Sequence, residues 1–131
     1  MQALLREQQS APAFFAFMHG LRSAPIPAPV IERAKGCLLD ALGCGLFGSQ
    51  QAWSKLMFQD ALDEGSRGEC TIYGERQVLG AAPAALCNGT AIHGFELDDV
   101  IQEAIVHPGA VVVPAALAAA EAANASGAHL L

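Results

Sequence analysis

Six side chains that carry or bind protons lie within fifteen residues of one another. Two histidines, His93 and His107, enclose the segment, and three of the four carboxylates between them lie close together, at Glu96, Asp98 and Asp99. Three acids within four residues repel one another, so the fold must supply cations from elsewhere or keep at least one acid protonated. A histidine beside such acids can move a proton to or from a bound molecule. The segment therefore predicts a site for proton transfer.

His107 has the more informative position of the two histidines. It precedes Pro108, and a residue before proline favours an extended backbone at the entrance of a helix. The first N–H groups of a helix, together with the helix dipole, attract an anion. A substrate carboxylate at this helix entrance, with an imidazole beside it to move a proton, is chemically sensible.

Simpler interpretations exist for each residue taken singly. Asp98 or Asp99 could cap the following turn, as acids in loops often do, and His93 could be a hydrogen-bonded structural histidine. A divalent metal ion held by His93, Asp98, Asp99 and His107 is a third alternative, because these residue types suit one. The segment lacks a compact ligand spacing such as H-E-x-x-H, so we predict no metal.

Charges are scarce in this chain and unevenly placed. Apolar residues make up 53% of it and charged residues only 15%, against about a quarter charged in a typical soluble domain, which suggests that part of the surface is covered. The net charge of -6 argues against nucleic acid binding, which needs clustered cations. All seven cations lie at or before Arg76, and five acids follow it. The half of the chain that carries the acid cluster therefore has no cations of its own.

The cysteines and the N-terminus indicate a cytoplasmic protein without a membrane partner. The four cysteines have no C-x-x-C spacing, and Cys37 and Cys44 fall in an apolar helical pattern, where thiols behave as small hydrophobes. Reduced thiols suit the cytoplasm. The N-terminus lacks the basic start and apolar core of a signal peptide, and the long uncharged stretches would make poor membrane spans.

The hydrophobic pattern predicts an all-α fold with at most one short extended segment, at 70–74. Ser10 is expected to cap the first helix, with Pro12 in its first turn. The predicted helices run from about 10 to 21, 29 to 46, 52 to 62, 81 to 95 and 108 to 125.

Two features of these helices predict packing. Gly43, Gly45 and Gly48 each cost about 1 kcal/mol in a helix interior, so we expect close helix–helix approach there. Pro114 is expected to kink the last helix or to mark its true start. That helix is apolar all round, as expected of a helix inside a larger protein.

Four blocks of the chain resemble the N-terminal segment of the MmgE/PrpD family, whose members include 2-methylcitrate dehydratases, cis-aconitate decarboxylases and iminodisuccinate epimerases. They follow one another in the family's order, and a single such block would be a weak signal. The blocks are FMHGLR at 17–22, VIERAKGCLLDALG at 30–43, AALCNGTAIHGFELDD at 84–99 and HPGAVVVPAALAAAE at 107–121.

The resemblance implies a large helical domain, a smaller lid domain, usually a homodimer, and a pocket between the domains that works without an Fe–S cluster or other cofactor. The family's acidic motif and the histidine of its H-P motif correspond to Glu96, Asp98, Asp99 and His107. We therefore predict His107, Glu96 and Asp99 as catalytic residues and His93 and Asp98 as substrate-binding residues. The predicted reaction is a 2-methylcitrate dehydratase-like abstraction of a proton next to a carboxylate of a small polycarboxylate.

Three departures from the family pattern bear on the substrate. The first acid of the motif, often Asp, is Glu96, and Val100 stands where decarboxylase-type members have Thr. The spacing from Val100 to His107 is also one residue longer than in those members. These differences make cis-aconitate decarboxylation the less expected activity.

The family's lid and its further catalytic histidine and lysines have no counterpart in 1–131, so we expect this range to form a partial N-terminal helical domain that is inactive alone. A C-terminal complementing segment is a candidate partner. Two rival functions remain: a degenerate helical interaction module without catalysis, and a metal-dependent hydrolase that uses the two histidines and the acid pair.

Overall fold

The computed structural model describes the backbone of residues 2–21 and 25–131, and the side chains of 11–21 and 25–131. These residues are mostly helical with one small hairpin, which confirms the predicted fold class. The elements are α1 (Gln2–Leu21), α2 (Ala28–Gly48), α3 (Ala52–Asp63), β1 (Cys70–Thr71), β2 (Val78–Leu79), α4 (Ala81–His93), α5 (Pro108–Ala122) and α6 (Gly127–Leu130).

The chain divides into two compact units, residues 1–32 and 33–131. In the first unit, α1 begins at Gln2, so the prediction that Ser10 caps it is wrong. Residues 2–9 are mostly strong helix formers, and the helix continues through Pro12, which lies inside it. Its three phenylalanines are each more than half exposed: Phe14, Phe15 and Phe17.

The glycines of α2 confirm close approach at two of the three predicted positions. A Cβ at Gly45 would lie 2.5 Å from Cδ2 of the Tyr73 ring, and one at Gly48 would overlap the carbonyl oxygen of Ala91 in α4. A Cβ at Gly43 would have no neighbour within 4 Å, so the prediction fails there. Gly43 is exposed whereas Gly45 and Gly48 are buried, because they lie on different faces of the helix.

The hairpin of β1 and β2 is held by side chains of two helices. Its strands are antiparallel, with Cys70 opposite Leu79. The Oδ1 atom of Asn88, in α4, accepts a hydrogen bond from the N–H of Tyr73 at 2.9 Å, and its Nδ2 donates to the carbonyl oxygen of Thr71 at 2.8 Å. The extended segment predicted at 70–74 is thus only two residues of strand, and its partner β2 was not predicted.

Glu121 of α5 ties the same strand from the other side. The backbone N–H and the hydroxyl of Thr71 each donate to one oxygen of its carboxylate at 2.7 Å. The only charged residue of α5 is therefore bonded to the hairpin.

Two apolar clusters form the core of the second unit. One joins α3, the hairpin, α4 and α5, and contains the buried Phe58, Ile72 and Leu79. The other lies beneath the acid and histidine segment and contains Cys44, Tyr73 and Ile92, as well as two small residues, Ala41 and Ala110. Three of the four cysteines are buried, at Cys44, Cys70 and Cys87, and Cys37 is half-buried.

The last two long helices differ slightly from their predicted ranges. α4 ends at His93, two residues early, and α5 ends at Ala122, three residues early. Pro114 lies inside α5 and is buried, so the true start is Pro108. Among the described helices, none combines the length and the apolar composition needed to cross a membrane.

Candidate active site at the ends of helices α4 and α5

Close packing of α4 against α5 brings the two histidines together. A Cβ at Gly89 would lie 2.7 Å from the carbonyl oxygen of Ala110, so the helices approach to a distance that only glycine permits. His93 is the last residue of α4, and His107 is the N-cap residue of α5, followed by Pro108. The backbone of His107 has φ -109° and ψ 84°, outside the helical region, as predicted from the proline that follows.

Asp98 lies between the two imidazoles. Its Oδ1 atom is 3.2 Å from Nδ1 of His93 and 3.2 Å from Nδ1 of His107. The side chain of Asp98 is 1% exposed, whereas those of His93 and His107 are 45% and 24% exposed. The two rings are 4.6 Å apart between centroids. A buried carboxylate is thus shared by two imidazoles that reach the surface.

Hydrogen bonding satisfies only part of this arrangement. His93 Nδ1 and Asp98 Oδ1 form a hydrogen bond at 3.2 Å. His107 Nδ1 lies at the same distance from that oxygen, yet it is buried without a hydrogen-bond partner among the described residues, as is Asp98 Oδ2. The contact between His107 and Asp98 is therefore electrostatic, because the distance between Nδ1 and Oδ1 suits an ion pair but the angles at these atoms do not suit a hydrogen bond. The carboxylate can therefore stabilise a positive charge on either imidazole.

Asp99 turns away from the histidines and caps α5. Its Oδ1 atom accepts a hydrogen bond from the N–H of Gly109 at 2.8 Å, one of the N–H groups that a helix leaves unpaired at its start. A Cβ at position 109 would overlap that oxygen. The two adjacent acids thus have different roles, and Asp99 has the capping role that the sequence left open as an alternative.

Glu96 lies in the exposed turn between α4 and Asp98. Its N–H donates to the carbonyl oxygen of His93 at 2.9 Å, and its φ is 53°, a left-handed conformation that costs about 1 kcal/mol or more outside glycine. The exposed carboxylate of Glu96 is free to meet a group that approaches from outside the turn.

An open apolar groove between α4 and α5 leads to the histidine pair. It has a volume of about 990 Å³ and is lined mainly by aliphatic side chains, with His93 and His107 in its wall. One lining residue, Ile105, is 85% exposed and has a φ of 52°, which is unusual for a β-branched residue. Sequence reasoning missed this groove, although the all-apolar pattern of α5 signalled an uncovered face.

The comparisons with known proteins agree with the resemblance. Residues 13–131 match the MmgE/PrpD N-terminal domain. The chain is 41% identical over 101 residues to the cis-aconitate decarboxylase-like protein oryM of Aspergillus oryzae. The aligned region covers 77% of this chain and 21% of that protein. It is 38% identical to the cis-aconitate decarboxylase of Aspergillus terreus over the same shares, and 33% identical to the human cis-aconitate decarboxylase over 84% of this chain and 23% of that protein.

The chain thus spans about a fifth of the length of the curated relatives it matches. The match to the domain extends from within α1 to the end of the sequence, so it includes His93 and His107 as well as Glu96, Asp98 and Asp99. By these matches, the chain belongs to the MmgE/PrpD family.

Proposed function

We propose that this chain is the N-terminal part of a lyase that acts on small polycarboxylates, with His107 as its proton carrier. The observation that carries the proposal is the contact between His107 and the buried Asp98, 3.2 Å apart, at the N-terminus of α5. The carboxylate stabilises the imidazolium that forms when His107 takes a proton. Asp99 already occupies the N–H of Gly109 at the start of that helix, so the negative charge of the substrate must be met by cations from elsewhere.

The proposed chemistry is proton transfer at a carbon next to a carboxylate. In a dehydration, His107 removes the proton, the C–H electron pair forms the double bond, and hydroxide leaves with the other bonding pair. In a decarboxylation, the bond to the departing CO₂ breaks instead, its electron pair stays on the remaining carbon skeleton, and His107 in its imidazolium form donates the proton that this pair takes up. One histidine therefore serves either reaction.

The neighbouring acids have separate parts in this proposal. Asp99 positions His107 by capping the helix that begins beside it. His93 contacts the substrate, whereas Asp98, whose side chain is 1% exposed, takes part through the two imidazoles by balancing the charge of His107. Glu96 is exposed. In this proposal it pairs with a lysine that another part of the enzyme supplies, because this chain has no lysine after Arg76.

Positive charge for the substrate must come from outside the acid-bearing half. No Lys or Arg follows Arg76 in the sequence, and the groove beside the histidines is lined mainly by apolar side chains. The region that aligns with this chain makes up 21% of the length of the two Aspergillus relatives. We propose that the additional region, in the same polypeptide or in a complementing one, supplies these cations and covers the groove. The complete protein is proposed to form a homodimer. The chain alone is expected to show no turnover.

Two substrates are candidates. A 2-methylcitrate-like hydroxy acid is favoured by Val100, which lacks the hydroxyl that decarboxylase-type members present. The second candidate, cis-aconitate, is favoured by the relatives described above, which are cis-aconitate decarboxylases or similar to them.

A chimera tests the proposal. This chain replaces the matching fifth of the Aspergillus terreus enzyme, and both substrates are assayed. We expect turnover of one of them, and a loss of about 100-fold or more in kcat for His107→Ala. His129→Ala serves as the control, since His129 lies in α6 and bonds to Ser126. A folded His107→Ala chimera with ordinary turnover would remove the central assignment, and a folded parent chimera inactive on both substrates would refute the substrate class.

A further inference from the structure

The cluster of His93, Asp98 and His107 has a second chemical capacity, which is to bind a metal ion. One atom from each side chain can be chosen so that all three lie within 4.8 Å of one another. The two Nδ1 atoms each lie 3.2 Å from Asp98 Oδ1. Zinc binds imidazole nitrogen and carboxylate oxygen at about 2.0–2.2 Å, which sets two ligands of a tetrahedral ion about 3.4 Å apart. The spacing observed is close to that value.

Hydrogen bonding leaves atoms in this cluster that an ion would satisfy. Asp98 Oδ2 and His107 Nδ1 are both buried without a hydrogen-bond partner among the described residues, and the Asp98 side chain is 1% exposed. A buried carboxylate oxygen without a partner is unusual in folded proteins. A cation between the three side chains would give His107 Nδ1 a partner, and would also satisfy Asp98 Oδ2 if the carboxylate binds it through both oxygens.

The donor set selects the class of ion. Two imidazole nitrogens and one carboxylate oxygen suit Zn²⁺ and neighbouring transition metals, whereas Mg²⁺ and Ca²⁺ prefer oxygen ligands throughout. An ion also has access, because His93 and His107 are partly exposed and lie in the wall of the α4/α5 groove.

We propose that His93, Asp98 and His107 form a binding site for Zn²⁺ or a similar transition-metal ion, which departs from the prediction that the chain holds no metal. The site does not depend on the proposed function. One consequence does rest on it: an ion on His107 Nδ1 removes that imidazole from proton transfer, so bound Zn²⁺ acts as a reversible inhibitor of the site.

The test is a titration of the purified, metal-free chain. Zn²⁺ binding is measured by calorimetry, and Co²⁺ is added separately while its visible absorption is recorded. We expect one equivalent to bind, and about a tenfold or greater loss of affinity for His93→Ala, Asp98→Asn and His107→Ala, by the scale known for groups around bound metals. His129→Ala, with its histidine in α6, should bind as the parent does.

His93→Ala is the decisive variant, because the His93 side chain is 45% exposed and its loss should leave the fold intact, as circular dichroism will check. Unchanged affinity in folded His93→Ala and His107→Ala variants would overturn the proposal. So would a thiolate charge-transfer band with Co²⁺, which would assign the ion to cysteine, or an absence of stoichiometric binding. These readouts involve no turnover, so their failure is distinct from failure of the chimera.

Discussion

Removing the carboxylate of Asp99 should destabilise the fold by weakening the start of α5. Asp99 Oδ1 accepts the N–H of Gly109 at 2.8 Å, and the N-cap residue itself, His107, makes no side-chain cap hydrogen bond. Loss of an N-terminal cap costs about 1 kcal/mol, within a range of about 0.5 to 2. Asp99→Ala should therefore lower the free energy of unfolding by about 1 kcal/mol. Asp99→Asn keeps an oxygen acceptor but loses the charge that faces the helix dipole, and should lose about 0.3 to 1 kcal/mol.

Gly109 makes the same contact testable from its other side. A Cβ at position 109 would overlap Asp99 Oδ1, so Gly109→Ala should displace the carboxylate and lose the cap. The stability lost with the cap is expected to equal or exceed the stability that replacing glycine by alanine adds to a helix, which is at most about 1 kcal/mol. In the double variant with Asp99→Ala no carboxylate remains to be displaced. Its destabilisation should be smaller than the sum of the two single losses, by about 1 kcal/mol.

The assay is urea denaturation of the chain and its variants, followed by circular dichroism at 222 nm, a wavelength that reports helix. Glu103→Ala is the matched control, because Glu103 is an exposed acid of the same loop. Additive losses in the Asp99–Gly109 cycle, or an Asp99→Ala variant as stable as Glu103→Ala, would refute the capping role and return Asp99 to a purely chemical one.

Two further predictions concern the core beneath the site. Burial, with a smaller effect of the Glu121 charge, raises the pKa of Tyr73 to about 12, above the ordinary value of about 10. The folded state therefore holds this proton more tightly than the unfolded state, so the related stability is complete below about pH 10 and is lost as pH rises toward 12. Tyr73 is the only tyrosine, so the absorbance of tyrosinate measures its titration directly. Tyr73→Phe should remove the loss of stability at alkaline pH. Titration of Tyr73 near pH 10 in the folded chain would contradict the burial argument. Asn88→Ala leaves the Tyr73 N–H and the Thr71 carbonyl unpaired and should cost about 2 to 4 kcal/mol in urea denaturation, whereas Thr90→Ala on the same helix should cost much less. Equal losses in the two variants would mean that Asn88 does not hold the hairpin.

Local sequence was enough to predict most helices and the segment in which the candidate residues lie. The apolar period of 3.6 residues identified α2 to α5 within a few residues of their ends, since periodicity and propensity depend on near neighbours. The start of α1 was wrong, because Ser10 and Pro12 matched a helix start although the residues before them form helix as well. Strand β2 was missed because two residues carry no periodic signal, and its pairing depends on β1 across the hairpin.

The amino-acid sequence alone determined that this chain belongs with the MmgE/PrpD proteins, that it is helical, and that two histidines and a cluster of three acids lie within fifteen residues of one another. Only the tertiary structure decided how those residues divide: Asp98 between both imidazoles, Asp99 on the helix N-terminus, and Glu96 in an exposed turn. The reason is physical. A run of residues specifies which groups lie near one another along the chain, but the contact between His93 and His107 exists because α4 and α5 approach closely at Gly89, and that approach is a property of the packed helices rather than of the loop.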